Sequence, residues 1–431
     1  MRKLLLASAA TLLATGAAFA QPVQQVAAPG TVAVHLHGYF QFSVGAYGSS
    51  KMSGGSNAAG TAYKLNDVGT AGDFRLYPGF DGQTLNGIWY GAQVELRTLK
   101  SNAGEGKNNN STNGSGFGGL YVQRAYGYIG TPQYGFARFG QTDSAFTLSQ
   151  VGVIESFGDG SQFNADGGAN LMLPTAPGLF IYGDTSALYS TNKVLYESPA
   201  VETGFGNISG IVGFEPNSNG MKQGYANGGS NWATASSIYG GSNSRRRNTI
   251  DASLSYANDI DGFANKASIA YLHGAPLGST NGKYTNSAGQ VIAPNGYDSL
   301  SVFQGGLQTS YAGLTVGGNI KFGQVEDGYT FKPKGARNAF GYIVGAVYNI
   351  GPYSVGASYF NQQSSGKYVP GATTYARTLS EYGVATGANY QLAKPIGLFI
   401  EYEYGHQHQP SSVAATNTQE QVVDVGTTLK W

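Results

Sequence analysis

The sequence predicts an all-β fold: a closed, antiparallel, transmembrane β-barrel of sixteen strands. Three observations carry that expectation. Apolar and polar residues alternate in segment after segment from residue 32 to the C-terminus, the period of a strand with one oily face. The connections between these segments alternate between long and short, as in an outer-membrane barrel with loops on one rim and tight turns on the other. Beyond the N-terminal segment, no apolar run reaches the length of a transmembrane helix.

The chain opens with Arg2 and Lys3, then LLLASAATLLATGAAFA, closing on Ala18-Phe19-Ala20. A basic start, a short apolar stretch and a small-x-small site describe a cleaved secretory signal over 1–20. The alternative is a membrane anchor, for which the stretch is short. Residues 21–31 are expected to form a short periplasmic segment, and 32–431 the barrel. Removing Arg2 and Lys3 from the 25 basic residues leaves 23 against 24 acidic ones. A chain so near neutrality has no bulk attraction for nucleic acid. There are no cysteines, so disulfides, thiolate metal sites and a Cys nucleophile are excluded. Gly is abundant, at 66 residues, but aromatics at 13% and sustained alternation separate the chain from low-complexity disorder. Mean hydropathy is slightly negative, which suits either a soluble protein or a barrel with a wet interior.

The strand segments fall near 32–47, 72–80, 86–99, 119–130, 134–142, 193–199, 206–215, 248–258, 264–274, 300–311, 314–323, 339–350, 353–361, 381–391, 396–406 and 418–431. In the first, Val32, Val34, Leu36, Phe40, Phe42 and Val44 oppose His35, His37, Tyr39, Gln41 and Ser43. In the third, Ile88, Tyr90, Ala92, Val94 and Leu96 oppose Trp89, Gln93, Glu95 and Arg97. In the last, Val423, Val425, Thr427, Leu429 and Trp431 oppose Val422, Asp424, Gly426, Thr428 and Lys430. Long connections span 48–71, 100–118, 143–192, 216–247, 275–299, 324–338, 362–380 and 407–417. Short ones lie near 81–85, 131–133, 200–205, 259–263, 312–313, 351–352 and 392–395, and carry turn pairs such as DG, TP, GP and KP. A soluble sandwich does not demand this alternation, and no blade-length repeat supports a propeller. In hydrocarbon every backbone polar group must pair within the protein, so the sheet must close. An even strand count places both termini on the short-turn, periplasmic side. Sixteen strands enclose a lumen too wide for side chains to fill. The oily face of the last strand then meets lipid, with Trp431 in the interfacial girdle.

Four stretches resemble the general diffusion porins of Gram-negative bacteria: GDFRLYPGFDGQTLNG (72–87), VQRAYGYIGTPQYGFARFGQTDSAF (122–146), NKVLYESPA (192–200) and the C-terminal strand. The resemblance implies sixteen-stranded barrels assembled as a homotrimer, each with its own pore. It implies passive diffusion of ions and small hydrophilic solutes, no catalysis and no cofactor. It also implies that the third long loop, here 143–192, folds into the lumen and narrows it. Basic wall residues of the family correspond to Arg75, Arg124 and Arg138. Lys193 is the candidate substitute where the family often has an arginine and this chain has Leu195. Glu155 and Asp159 in VIESFGDG resemble the acidic pair of the inward loop, and Asp166 is a further candidate. The family usually ends in Phe. Here Val425, Leu429 and Trp431 would serve as the C-terminal signal read by the barrel-insertion machinery.

Physics supplies a reason for such an arrangement. Cations on one wall facing carboxylates across a narrow gap create a weakly screened transverse field. Charged rings also set ion preference. The competing reading of each arginine is a neutral ion pair that stabilises the wall. Arg245, Arg246 and Arg247 close the fourth long loop. They are candidates for lipopolysaccharide phosphate contact, for drawing anions to the pore mouth, or for a simple solvated loop.

Other constellations point elsewhere. His35-x-His37 and His406-x-His408 have chelating spacing, but they sit at opposite ends of the barrel and lack a third ligand. GSGFGG (114–119) precedes a strand and not a helix, so it reads as loop. DIDG (259–262) lacks the Glu that a calcium loop needs, with Ala270 in its place. A barrel enzyme acting on lipids would need a Ser–His pair, and no nucleophile motif adjoins His273, His406 or His408. A channel specific for a sugar or an anion stays open, because Tyr39, Trp89, Tyr126 and Tyr128 could line the lumen.

Overall fold

The computed structural model describes residues 27–49, 67–98, 120–163, 191–217, 246–276, 284–285, 291–293, 296–326, 329–365, 378–409 and 416–431. The strands in chain order are β1 (Thr31–Ser49), β2 (Val68–Gln83), β3 (Trp89–Thr98), β4 (Leu120–Thr131), β5 (Gly135–Thr142), β6 (Thr191–Glu197), β7 (Val201–Thr203), β8 (Gly206–Asn217), β9 (Arg246–Ile260) and β10 (Phe263–Pro276). There follow β11 (Tyr284–Thr285), β12 (Val291–Ala293), β13 (Leu300–Tyr311), β14 (Leu314–Gln324), β15 (Ala339–Ile350), β16 (Tyr353–Ser365), β17 (Thr378–Ala393), β18 (Ile396–Gln409) and β19 (Thr416–Lys430).

Each wall strand pairs antiparallel with its sequence neighbours, and β1 pairs with both β2 and β19, so the sheet closes on itself. β6 and β7 are one wall strand interrupted at 198–200. Both pair with β8, and Ser198 N donates to Gly210 O across the break at 2.9 Å. The barrel therefore has sixteen strands. The hairpin β11–β12 stands apart from it. Every segment predicted from alternation coincides with a wall strand over most of its described length, but the ends differ. β2 runs past its predicted limits at both ends, the strand predicted from residue 86 starts only at Trp89, and the one predicted to 199 is broken after Glu197. DIDG is a tight turn: Asp261 and Gly262 have φ of 54° and 83°. Gly262 N donates to Asp259 Oδ1 at 3.1 Å, the geometry a two-residue hairpin needs.

Burial is inverted relative to a soluble sheet. On β1, Val34 is 80% exposed while Ser43 is 1% exposed. On β19, Val425 is exposed and Asp424 is buried. Oily residues thus line the outside and polar ones the inside, the pattern that hydrocarbon around a wet core requires.

One part of the interior is not wet. Leu272, Leu300, Val302, Ile343, Val347 and Phe360 project inward and pack with Phe146, Val153, Phe157, Phe163, Val325, Tyr329 and Phe331. These last seven belong to connections on the long-loop side that fold into the barrel. The first of those connections, 143–163, carries a short helix, α1 (Ala145–Leu148). Ser144 caps it, accepting from Thr147 N at 3.2 Å.

Candidate functional site

The lumen is shaped by the loop segment 143–163, which crosses the inside of the barrel. A lane of glycines on the facing wall allows the approach. A Cβ on Gly345 would stand 3.0 Å from Val153 Cγ1, and one on Gly383 2.8 Å from Phe163. Gly356 and Gly387 receive Phe157 in the same way. Side chains of the same wall take the loop's backbone groups, which would otherwise be buried unpaired. Asp251 accepts from Phe146 N at 3.1 Å, and Asn319 Nδ2 donates to Val151 O at 2.8 Å. Asn389 clamps Gly158 twice, accepting its N–H at 2.9 Å and donating to its carbonyl at 2.6 Å. Glu401 accepts from Asp159 N at 2.8 Å and Glu403 from Phe163 N at 3.0 Å. Glu155 and Phe163 have φ of 53° and 57°, a left-handed backbone that such residues hold only when the surroundings impose it.

Basic side chains stand on the lumenal faces of β2 to β9, each with a carboxylate or carbonyl partner. Arg75 meets Asp73 at 2.5 Å, with its guanidinium 5.5 Å from the Tyr39 ring centre. Arg97 meets Glu95 at 2.5 Å. Glu95 also bonds Arg124, which reaches Asp143 at 2.8 Å. Arg138 meets Glu197 at 2.8 Å and lies 4.8 Å from the centre of the Tyr126 ring. Lys193 Nζ donates to Thr142 O at 2.6 Å. Arg97, Asp73, Glu95 and Glu197 escaped the sequence reading. Their polar faces were visible, but the cross-strand match of Arg75 with Arg97 and of Glu95 with Arg124 needs the register. Deeper in the loop region, Lys321 Nζ donates to Tyr329 OH at 2.9 Å. Burial pushes the Tyr329 phenol well above its ordinary range.

A cavity of about 750 Å³ opens between the two sides. Tyr39, Arg75 and Tyr77 line it from the wall, and Glu155, Ser156 and Asp159 from the loop. Asp159 is buried, its N–H held by Glu401 and its carbonyl by Gln41 Nε2 at 3.0 Å. Its carboxylate also caps Ser161 N at 2.7 Å. Glu155 is more open.

The sequence pattern of the family described as Gram-negative porin matches residues 7–409. The chain is a Gram-negative porin. The porin is a channel of the outer membrane for passive diffusion. Its fold is similar to that of OmpTΔL8, a loop-deletion mutant of an outer membrane protein of Vibrio cholerae. The TM-score is 0.53 at 13% identity, over 93% of this chain and 99% of that one. It is also similar to an anion-selective porin from Comamonas acidovorans, with a TM-score of 0.51 at 14% identity, over 93% and 100% of the chains. The outer membrane channel DcaP of Acinetobacter baumannii gives 0.51 at 12% identity, over 95% and 100%. No curated protein matches the porin in sequence.

In the porin the remaining candidates fall as follows. Arg246 turns into the wall and pairs with Glu215 at 3.0 Å, whereas Arg247 is exposed. Val425, Leu429 and Trp431 are on the outer face. His35 and His37 face the lumen on β1, in line with Tyr39 opposite Arg75. His406 lies on the outer face, stacked on Tyr382 at 4.9 Å. Asp166, Arg245, GSGFGG (114–119) and the segment 1–20 lie outside the described residues.

Proposed function

We propose that the porin works as a non-catalytic homotrimeric pore, with its constriction between the basic wall of Arg75, Arg124, Arg138 and Lys193 and an inward loop bearing Glu155, Asp159 and Asp166. The observation that carries the reading is the cavity shared by Arg75, Glu155 and Asp159. Water there is confined between the oriented Arg75–Asp73 pair on the wall and the carboxylates of the loop, so a transverse field persists across the gap. Polar solutes align in that field, and apolar ones must shed ordered water to pass. A trimeric form is known for the similar Vibrio cholerae OmpT, which supports the assembly. Of the run Arg245, Arg246 and Arg247, Arg247 is exposed at the start of β9 and supports the contact with lipopolysaccharide phosphates, whereas Arg246 is paired inside the barrel with Glu215 and takes no part in it. Val425, Leu429 and Trp431 form the aromatic-terminated strand that the insertion machinery would read, after export by a cleaved signal over 1–20.

The test is a single-channel recording in a salt gradient. Neutralising Glu155 and Asp159 together is expected to move the reversal potential toward anions. An unchanged potential removes the constriction assignment while leaving the barrel intact.

A further inference from the structure

The rings that face the lumen are distributed unevenly. Pairing registers put Tyr39, Tyr77, Trp89, Tyr126, Tyr128 and Phe136 on the inner face of β1 to β5. On the remaining wall strands, the described inner-face rings are Phe360 and Phe399, both buried. Of the six, Tyr128 is buried beneath its neighbours, while Tyr39, Tyr77, Trp89, Tyr126 and Phe136 are half-buried and keep part of their surface open. A wet wall has no need of aromatic side chains, and apolar ring faces in water are unfavourable. The six rings are spread over five adjacent strands, with Trp89, Tyr128 and Phe136 grouped together. Trp89 and Phe136 lie 6.1 Å apart, as do Tyr128 and Phe136. Glycines on neighbouring strands let the rings lie close to the wall: a Cβ on Gly91 would stand 2.6 Å from Tyr128 Cε1. Tyr39 and Tyr77 carry the strip into the central cavity.

Polar groups bracket the strip. Tyr126 OH donates to Gln93 Oε1 at 2.7 Å, and the Gln93 Nε2 beside it is buried with no hydrogen-bond partner. Tyr128 OH donates to Asp81. The two arginines that lie over these rings each hold a carboxylate, Arg75 with Asp73 and Arg138 with Glu197. They present fixed dipoles and not a net positive charge, so the strip is a poor trap for an anion. A ring with apolar C–H faces and a rim of hydroxyls fits both features: its faces lie on the aromatic planes and its rim meets the amide, phenol and ion-pair groups.

We propose that the lumenal face of β1 to β5 is a binding strip for neutral hydroxylated ring solutes, that is, mono- and oligosaccharides. The proposal rests on the channel reading above and adds a substrate class to it.

The experiment is single-channel recording of the full-length protein in planar bilayers, with maltotriose added and size-matched polyethylene glycol as a steric control. Maltotriose is expected to interrupt the current in a saturable way, and the polymer only to lower conductance in proportion to its concentration. Trp89→Ala combined with Tyr126→Ala should weaken the apparent affinity about tenfold, while Trp89→Phe keeps most of it. Tyr348→Ala, on the lipid face, should leave the interruptions as they are. A current step from each variant certifies that it folded. If maltotriose acts no differently from the polymer, or if its effect survives the double alanine variant, the strip is not a sugar site although the channel stands. Absence of any current step from the unaltered protein would remove the channel reading, and this site with it.

Discussion

Trp431 seats on Gly38 across the seam where the last strand meets the first. Gly38 N donates to Trp431 O at 3.0 Å and Trp431 N to Gly38 O at 3.2 Å. The indole lies in the space a Cβ on Gly38 would occupy, with the Phe74 ring 5.9 Å away on the next strand. Closing a barrel removes its last two open edges, so this pair of residues holds the step that makes the cylinder. Gly38→Ala is expected to overfill the seam by about 1–3 kcal/mol and to lower the temperature at which the folded band on a semi-native gel disappears. Adding Trp431→Ala should return part of that loss. A Gly38→Ala barrel with unaltered heat resistance would show that the indole is free to move aside.

The loop that crosses the lumen is held chiefly by its fit to the glycine lane. Phe157 fills the gap over Gly356 and Gly387 and is 2% exposed. Phe157→Ala removes that contact at a cost of about 3–5 kcal/mol, and the loop then fluctuates. Open-channel current noise should rise, while the far-ultraviolet signal of the barrel stays the same. Quiet recordings from this variant would mean that the Asn389 clamp suffices alone.

At the base of the loop, Arg124 links Glu95 on β3 to Asp143. The arginine therefore has a positioning role in addition to any effect on solutes. Asp143→Asn should weaken the link and leave the formal lumen charge more positive by one. Reversal potential is then expected to shift toward anions together with a change in conductance. Arg124→Lys, which keeps the charge but loses the forked geometry, should change conductance without a comparable shift in potential. Equal shifts from both variants would refute the positioning role.

Arg246 and Glu215 form an ion pair in which both side chains are almost wholly enclosed. Removing one partner strands the other charge, at a cost of about 3–5 kcal/mol. Arg246→Ala should accordingly lower the folded yield in urea titration far more than Arg247→Ala, whose side chain is exposed. Equal effects at the two positions would contradict the burial described for Arg246.

The barrel itself was legible because its cause is local. A strand alternates its side chains whatever else surrounds it, so sixteen runs of period two and their unequal connections were visible residue by residue. Arg124 could be placed on a lumenal face by its parity with Tyr126 and Tyr128, and Arg75 and Arg138 through the resemblance to the porin wall. Their partners could not, because Asp73, Glu95 and Glu197 join them through register and side-chain reach. The short helix at Ala145–Leu148 was missed because four residues carry too little periodicity to register. The apolar inner patch around Leu272, Leu300 and Phe360 was missed because a lumen was read as wet throughout.

By itself the sequence determined which faces are oily, how many strands close the wall and which rim carries the long loops, since each follows from neighbours in the chain. Only the tertiary structure decided where the inward loop lies and what it touches. Gly158 meets Asn389, and Asp159 meets Glu401, across separations of 231 and 242 residues. No local pattern can encode such contacts. They exist because a closed sheet brings its first strands beside its last and leaves a glycine-lined gap where the loop can settle.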